Sequence, residues 1–195
     1  MIENYSPNKV AVFFGKTGVG KTSTINLLFN QTFETDNAAA CTKELQFATF
    51  KEHLIIDIPG IAESEIADKK YFNEYIKAVK GSSLIIWVLQ GDTRVYRPDQ
   101  VMLLKLKEYF RAETKFLICI NQIDLIGTAN WDISKNEPSE DQKNYINEKR
   151  EDILKKFVKY MPNLEEEDII THSVTQKYNT DVLFDHIINQ DNETI

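Results

Sequence analysis

Val10-Ala11-Val12-Phe13-Phe14-Gly15-Lys16-Thr17-Gly18-Val19-Gly20-Lys21-Thr22 is an apolar run, a glycine-rich turn and a Lys-Thr pair opening a helix. Its spacing is that of the phosphate-binding loop, G-x-x-x-x-G-K-[ST]. A buried strand over Lys9 to Phe14 anchors the loop. Gly15, Gly18 and Gly20 permit positive φ and close backbone approach, so successive N–H groups can converge on an anion. The helix that follows, about Lys21 to Phe29, aims its N-terminus at the same point. Lys21 supplies a mobile positive charge for the β- and γ-phosphates, and the Thr22 hydroxyl can ligate the Mg2+ that bridges them. The expected phosphate contacts are Lys16, Thr17, Gly18, Val19, Gly20, Lys21, Thr22 and Ser23.

The rest of the composition narrows the class. The chain has 195 residues, 42% hydrophobic and 27% charged, which suits one globular domain over residues 1–195. The net charge of −7 speaks against a broad basic footprint for nucleic acid. Two cysteines, Cys41 in a polar stretch and Cys119 in an apolar run, make no metal spacing and no disulfide framework beyond that single pair. Met1 to Asn8 is polar and lacks the apolar segment of a signal peptide, and the run Leu84 to Leu89 is too short to span a membrane. No C-terminal prenylation pattern is present. A cytoplasmic setting is the expectation.

Beyond the first helix, Asn30 to Lys43 is polar and aperiodic and reads as a loop passing over the γ-phosphate. A threonine in such a loop can complete the Mg2+ shell; Thr42, just before the next strand, is the candidate, with Thr35 in reserve. Glu44 to Phe50 reads as an edge strand and His53 to Ile58 as a buried one. The latter runs into Asp57-Ile58-Pro59-Gly60. Asp57 can hold Mg2+ through water, and Gly60 can offer its N–H to the γ-phosphate. Lys21, Thr42 and Gly60 are thus the candidate catalytic groups, and Thr22, Thr42 and Asp57 the candidate metal ligands. Ile61 follows, where a water-orienting side chain would be useful, and isoleucine has no hydrogen-bonding group. Glu63, Ser64 and Glu65 are the nearby polar alternatives.

Ile66 to Lys80 reads as an amphipathic helix with Ile66, Phe72, Ile76 and Val79 inward, Ser83 to Leu89 as a buried strand, and Pro98 to Arg111 as a helix whose Val101 and Leu104 face the sheet. Arg94 and Arg97 lie in a polar loop that reads as solvated. Lys115 to Ile120 is another buried strand and ends in Asn121-Gln122-Ile123-Asp124. A carboxylate at Asp124 can accept both N1–H and the 2-amino group of guanine, a pairing adenine cannot offer. Leu125 to Ser139 reads as a long loop. Glu140 to Tyr160 reads as a charged helix with an apolar stripe of Ile146, Ile153, Leu154, Phe157, Val158 and Met161. Asp168 to His172 is the last strand. The turn Ser173-Val174-Thr175 after it can present an N–H to guanine O6, and Asn179 caps a final helix. His53, His172 and His186 are too scattered for a metal set.

Together these elements resemble the translation-factor-related (TRAFAC) GTPases, specifically the Era-like group. The matching residues are Gly15 to Thr22, Thr42, Asp57 to Gly60, Asn121 to Asp124 and Ser173-Val174. The fuller stretches Gly15-Lys-Thr-Gly-Val-Gly-Lys-Thr-Ser-Thr-Ile-Asn, Asp57-Ile-Pro-Gly-Ile-Ala-Glu-Ser, Leu84-Ile-Ile-Trp-Val-Leu, and Trp131-Asp with Asn136-Glu-Pro-Ser look like small bacterial GTPases found on prophages (the YfjP-like group), commonly described as ribosome-binding by analogy. The chain departs from the pattern at Gln122, where the usual residue is lysine, at Ser173-Val174 in place of Ser-Ala, at Gly18 where potassium-activated relatives carry asparagine, and at Ile61 in place of glutamine. Some relatives lacking that glutamine depend on nucleotide-bridged dimers.

The expected fold is α/β: a three-layer sandwich of the phosphate-loop NTPase type, with a six-stranded, mostly parallel sheet and one antiparallel edge strand near Glu44 to Phe50. The expected function is a GTP/GDP switch with slow, Mg2+-dependent hydrolysis, in which Gln31 to Lys43 and Pro59 to Lys69 respond to the γ-phosphate. An assembly module that dimerises across the nucleotide face and hydrolyses little is the second reading, and an ATP-dependent enzyme the weakest, because Asp124 suits guanine. Expected partners are a guanine nucleotide and a protein effector of unknown identity.

Overall fold

The structure, a computed structural model, describes residues 9–34, 45–61, 64–127 and 130–189. Eight strands and five helices are seen among them, in the order β1 (Lys9–Phe14), α1 (Lys21–Phe29), β2 (Gln46–Phe50), β3 (His53–Asp57), α2 (Glu65–Gly81), β4 (Leu84–Gln90), α3 (Arg97–Leu106), β5 (Lys115–Asn121), β6 (Trp131–Asp132), β7 (Glu137–Pro138), α4 (Glu140–Phe157), β8 (Ile169–Thr171) and α5 (Thr180–Asn189). Six strands form one sheet in the order β2-β3-β1-β4-β5-β8. Only β2 is antiparallel to its neighbour. The expected sheet is therefore observed.

The parallel strands are apolar along their whole length because both faces are covered. Alternate residues serve opposite layers. Val12, Phe14, Ile85, Trp87, Phe116 and Ile118 pack under α2, α3 and α4. Ala11, Phe13, Leu84, Ile86, Leu117 and Cys119 pack under α1 and α5. Strand β1 lies between β3 and β4, so the chain leaves it in both directions and opens a crevice at its carboxyl end. Register brings three functional positions to that rim: Phe13 pairs with Asp57, Phe14 with Trp87, and Gln90 with Asn121.

Several elements differ from expectation. Helix α3 ends at Leu106, followed by a 3-10 turn over Lys107–Tyr109. Its buried face is Asp99, Met102, Leu103 and Leu106, spaced i, i+3, i+4 and i+7, while Val101 and Leu104 point outward. A buried polar group sets the phase: the Trp87 indole donates to Asp99 Oδ1 at 3.0 Å and draws that face inward. Ile66 is 82% exposed, one turn too early to reach the sheet, and Val158 is exposed beyond the end of α4. The stretch read as a long loop contains the small β6–β7 ribbon, where Trp131 packs edge-on against Tyr178. Asn179 does precede α5, but its side-chain amide donates to the Thr171 carbonyl at 3.0 Å. Among the described residues no helix is long and apolar enough to cross a membrane.

Candidate functional site

The loop after β1 is built as its glycines require. Gly20 occupies the N-cap of α1 with φ +92°, and no side chain caps that helix. The first-turn amides of α1 are thus left for an anion. A Cβ at Gly20 would lie 2.2 Å from Asn121 Nδ2, so glycine also permits the loop to touch β5. Lys21, 6% exposed, crosses the loop and donates from Nζ to the carbonyls of Gly15 (3.1 Å) and Lys16 (3.0 Å).

Thr22 follows and donates from Oγ1 to Asp57 Oδ2 at 2.6 Å, joining α1 to the end of β3. Among the described residues no three His, Cys, Asp or Glu groups converge on a metal position. A hydroxyl beside a carboxylate is nonetheless a fitting donor set for Mg2+, which takes hard oxygens, keeps several waters and needs only one or two protein ligands beside phosphate oxygens. Thr42, Thr35, Cys41 and Glu63 lie outside the described residues. Asp57 runs into Gly60, which abuts the phosphate loop: a Cβ there would lie 2.3 Å from Thr17 Oγ1 and 2.7 Å from the Thr17 nitrogen. Ile61 is 1% exposed and packs in the core, with its N–H donating to the Gly15 carbonyl at 3.1 Å. Its side chain serves packing and is not available to orient water.

The side of the rim expected to take a base is assembled around Asn121. Its Nδ2 donates to the Val19 carbonyl (3.0 Å), and its Oδ1 accepts the Val174 N–H (3.3 Å). One side chain therefore ties the phosphate loop to the turn after β8. Within the turn Ser173-Val174-Thr175, the Val174 N–H is thus engaged by Asn121. Gln122 is left-handed, φ +61°, and turns the chain into a 3-10 segment that carries Asp124. Asp124 Oδ1 accepts the Ser173 hydroxyl at 2.6 Å, and Ser173 Oγ accepts the Gln176 N–H at 3.0 Å.

Several supporting residues belong to none of the motifs that the sequence displays. Lys16 Nζ, beyond its place in the loop, donates to the Val95 carbonyl (2.8 Å) and lies 3.6 Å from Asp99 Oδ2. Burial pushes the Asp99 carboxyl above its ordinary range, while the Trp87 indole and Lys16 pull the other way. Gln142 donates from Nε2 to the carbonyls of Asp124 and Ile126, both at 3.1 Å, holding the base loop from α4. Its signal is present as Ser139-x-x-Gln142, a capping box that the structure closes. His172 is fully buried between the base turn and α1, with Nε2 3.1 Å from Thr24 Oγ1. The Thr24 hydroxyl donates to the Gly20 carbonyl at 2.8 Å, which leaves its oxygen to accept from His172 Nε2–H. Burial draws the His172 pKa down to about 3.

A family model described as "50S ribosome-binding GTPase" matches residues 10–122. Among curated proteins, YfjP of Escherichia coli (strain K12) is 35% identical over 104 residues, 51% of this chain and 36% of that protein. YkfA of the same organism is 32% identical over 123 residues, 60% of this chain and 42% of that protein. Both matches thus span less than half of those relatives' length. Of solved structures, a probable GTP-binding protein engB superposes with TM-score 0.68 at 16% identity, covering 94% of this chain and 99% of that one. Era, in complex with MgGDPNP and a segment of 16S ribosomal RNA, gives 0.64 at 20% identity, covering 93% and 56%. Toc33 from Arabidopsis thaliana, in complex with Mg2+ and GMPPNP, gives 0.64 at 18% identity, covering 93% and 85%. The structural likenesses show the phosphate-loop GTPase fold, and the family match covers the loop, the Asp57 turn and the start of the base motif: the chain belongs to the 50S ribosome-binding GTPase family.

Proposed function

We propose that this chain is a GTP/GDP switch with slow, Mg2+-dependent hydrolysis, working as one GTP-binding domain. The observation that carries the reading is the hydrogen-bonded chain Val19–Asn121–Val174 beside Asp124–Ser173, which holds a phosphate loop and a guanine-reading carboxylate in one frame. Lys16 to Ser23 cradle the phosphates, and Lys21 offsets charge at the γ-phosphate as water oxygen bonds to its phosphorus and the bond to the β–γ bridging oxygen breaks, leaving GDP and phosphate. Gly60 supplies an N–H to the same group. Asn121, Gln122, Asp124, Ser173 and Val174 frame the base. Thr22 and Asp57, joined by Thr42, would hold Mg2+, which when bound neutralises phosphate oxygens. The Toc33 and Era complexes contain Mg2+ with a GTP analogue, which supports the assignment by likeness of fold.

Burial of Ile61 favours a second reading. That position offers no group to orient water, which leaves the task to Glu63, Ser64 or Glu65 of this chain, to a protein partner, or, in this second reading, to a second copy across the nucleotide face. A dimerization-deficient Toc33 variant is among the similar structures, which is compatible with such a dimer. The test is GTP turnover measured with and without Mg2+ over a range of protein concentrations. A constant rate per protomer supports the switch, and a rate rising with concentration supports the dimer. Lys21→Ala should lower turnover at least about 100-fold. Turnover unchanged by Lys21→Ala would remove the phosphate-loop assignment.

A further inference from the structure

We infer that the buried Tyr75 hydroxyl is the positioning group that aims the Gly60 N–H at the γ-phosphate and so sets the discrimination between GTP and GDP. The inference rests on the phosphate-loop reading above and assigns a residue to which no motif points. Tyr75 lies on α2, is fully buried, and packs edge-on against Phe14 with ring centroids 5.9 Å apart. Its Oη lies 3.2 Å from the Pro59 carbonyl and 3.4 Å from the Gly60 carbonyl. The hydroxyl thus faces two consecutive peptide oxygens.

The consequence follows from peptide geometry. The described residues contain no cis peptide bond, and in a trans peptide the C=O and N–H point in opposite directions. The Gly60–Ile61 peptide shows this directly: its carbonyl faces Tyr75, and its N–H donates to the Gly15 carbonyl on the phosphate loop at 3.1 Å. The Pro59–Gly60 peptide has its carbonyl on the same hydroxyl, so the Gly60 N–H also turns toward the phosphate-loop side. Thr17 of that loop lies so close to Gly60 that no side chain fits at position 60. Among the described residues no backbone carbonyl accepts that N–H. The strap Pro59-Gly60-Ile61 is thus gripped from behind by Tyr75 and from the front by Gly15, and one donor is left aimed at the loop. GDP lacks the group that this donor would meet.

Tyr75→Phe keeps the ring and removes only the hydroxyl. Calorimetric titration of the variant should show GDP affinity within about twofold of the wild type and affinity for a non-hydrolysable GTP analogue reduced about five- to tenfold, the range of one hydrogen bond. Equal loss for both nucleotides means a structural role, and no change for either means the hydroxyl is idle; each overturns the inference. Wild-type protein that binds no guanine nucleotide would instead overturn the underlying reading. Amide exchange in the wild-type protein needs no variant. The Ile61 amide should be protected in every state, and the Gly60 amide should gain protection with the GTP analogue and not with GDP. Equal protection of Gly60 by GDP contradicts the proposal.

Discussion

Asp124 is 7% exposed and accepts the Ser173 hydroxyl on one oxygen, which fixes the carboxylate plane. Replacing it by asparagine puts an amide donor where guanine presents donors. Asp124→Asn should weaken GDP about 100-fold, roughly 3 kcal/mol, and abolish preference over ADP in competition binding. A preserved preference removes Asp124 from base recognition. His172 makes a prediction of another kind. Its folded pKa, about 3, lies below the ordinary value of 6.5, so the unfolded chain binds the proton first. The stability that neutral His172 retains is fully present above pH 6.5 and is lost as pH falls toward 3, with a slope of at most about 1.4 kcal/mol per pH unit. Urea unfolding of wild type and His172→Gln between about pH 7 and 4.5 should therefore show a flatter profile in the variant. Parallel profiles would show that the imidazole is not held neutral.

At the scale of elements, α3 is bound to the phosphate loop by a polar relay. Lys16 reaches the Val95 carbonyl and Asp99, Asp99 accepts the indole of Trp87, and Trp87 stacks on Phe14 with centroids 5.4 Å apart. The loop before α3 is held on its other side by Lys149 of α4, whose ammonium donates to the Thr93 carbonyl. Asp99→Ala leaves a buried indole N–H and a lysine without their acceptor, so it should cost about 3 kcal/mol in chemical denaturation. In the Lys16→Met background the same change should cost measurably less, because the lysine no longer loses a counter-charge. Additive costs would mean that the pair is not coupled. This relay also explains why hydrophobic periodicity assigns α3 the wrong face. Hydrophobicity favours Val101 and Leu104, but Asp99 is drawn in by a tryptophan upstream on β4, a tertiary cause that periodicity does not register.

For the molecule as a whole, the sheet, its one antiparallel strand and the rim that carries the motifs were legible, because parallel strands covered on both faces read as unbroken apolar runs such as Leu84 to Leu89. The motif residues were legible for a related reason: glycines at Gly15 and Gly20, and polar side chains ending buried strands at Asp57 and Asn121, answer to few needs besides a ligand at the rim. What escaped were the residues that hold those groups in place. Tyr75, Gln142, Asp99 and His172 act across the fold, and each resembles an ordinary helix or strand residue until its partner is known. Binding should stiffen this frame as a unit. At a nucleotide concentration about 1,000 times the dissociation constant, GDP with Mg2+ should add about 4 kcal/mol, which for a chain of this size raises the melting temperature by about 8–16 °C. The most direct measurement is calorimetric titration of nucleotide-free protein with GDP, a non-hydrolysable GTP analogue and ADP in Mg2+. Tight binding of both guanine nucleotides with no heat from ADP is the predicted result. Equal binding of ADP, or none of the three, would contradict the central claim that this rim is a guanine-nucleotide site.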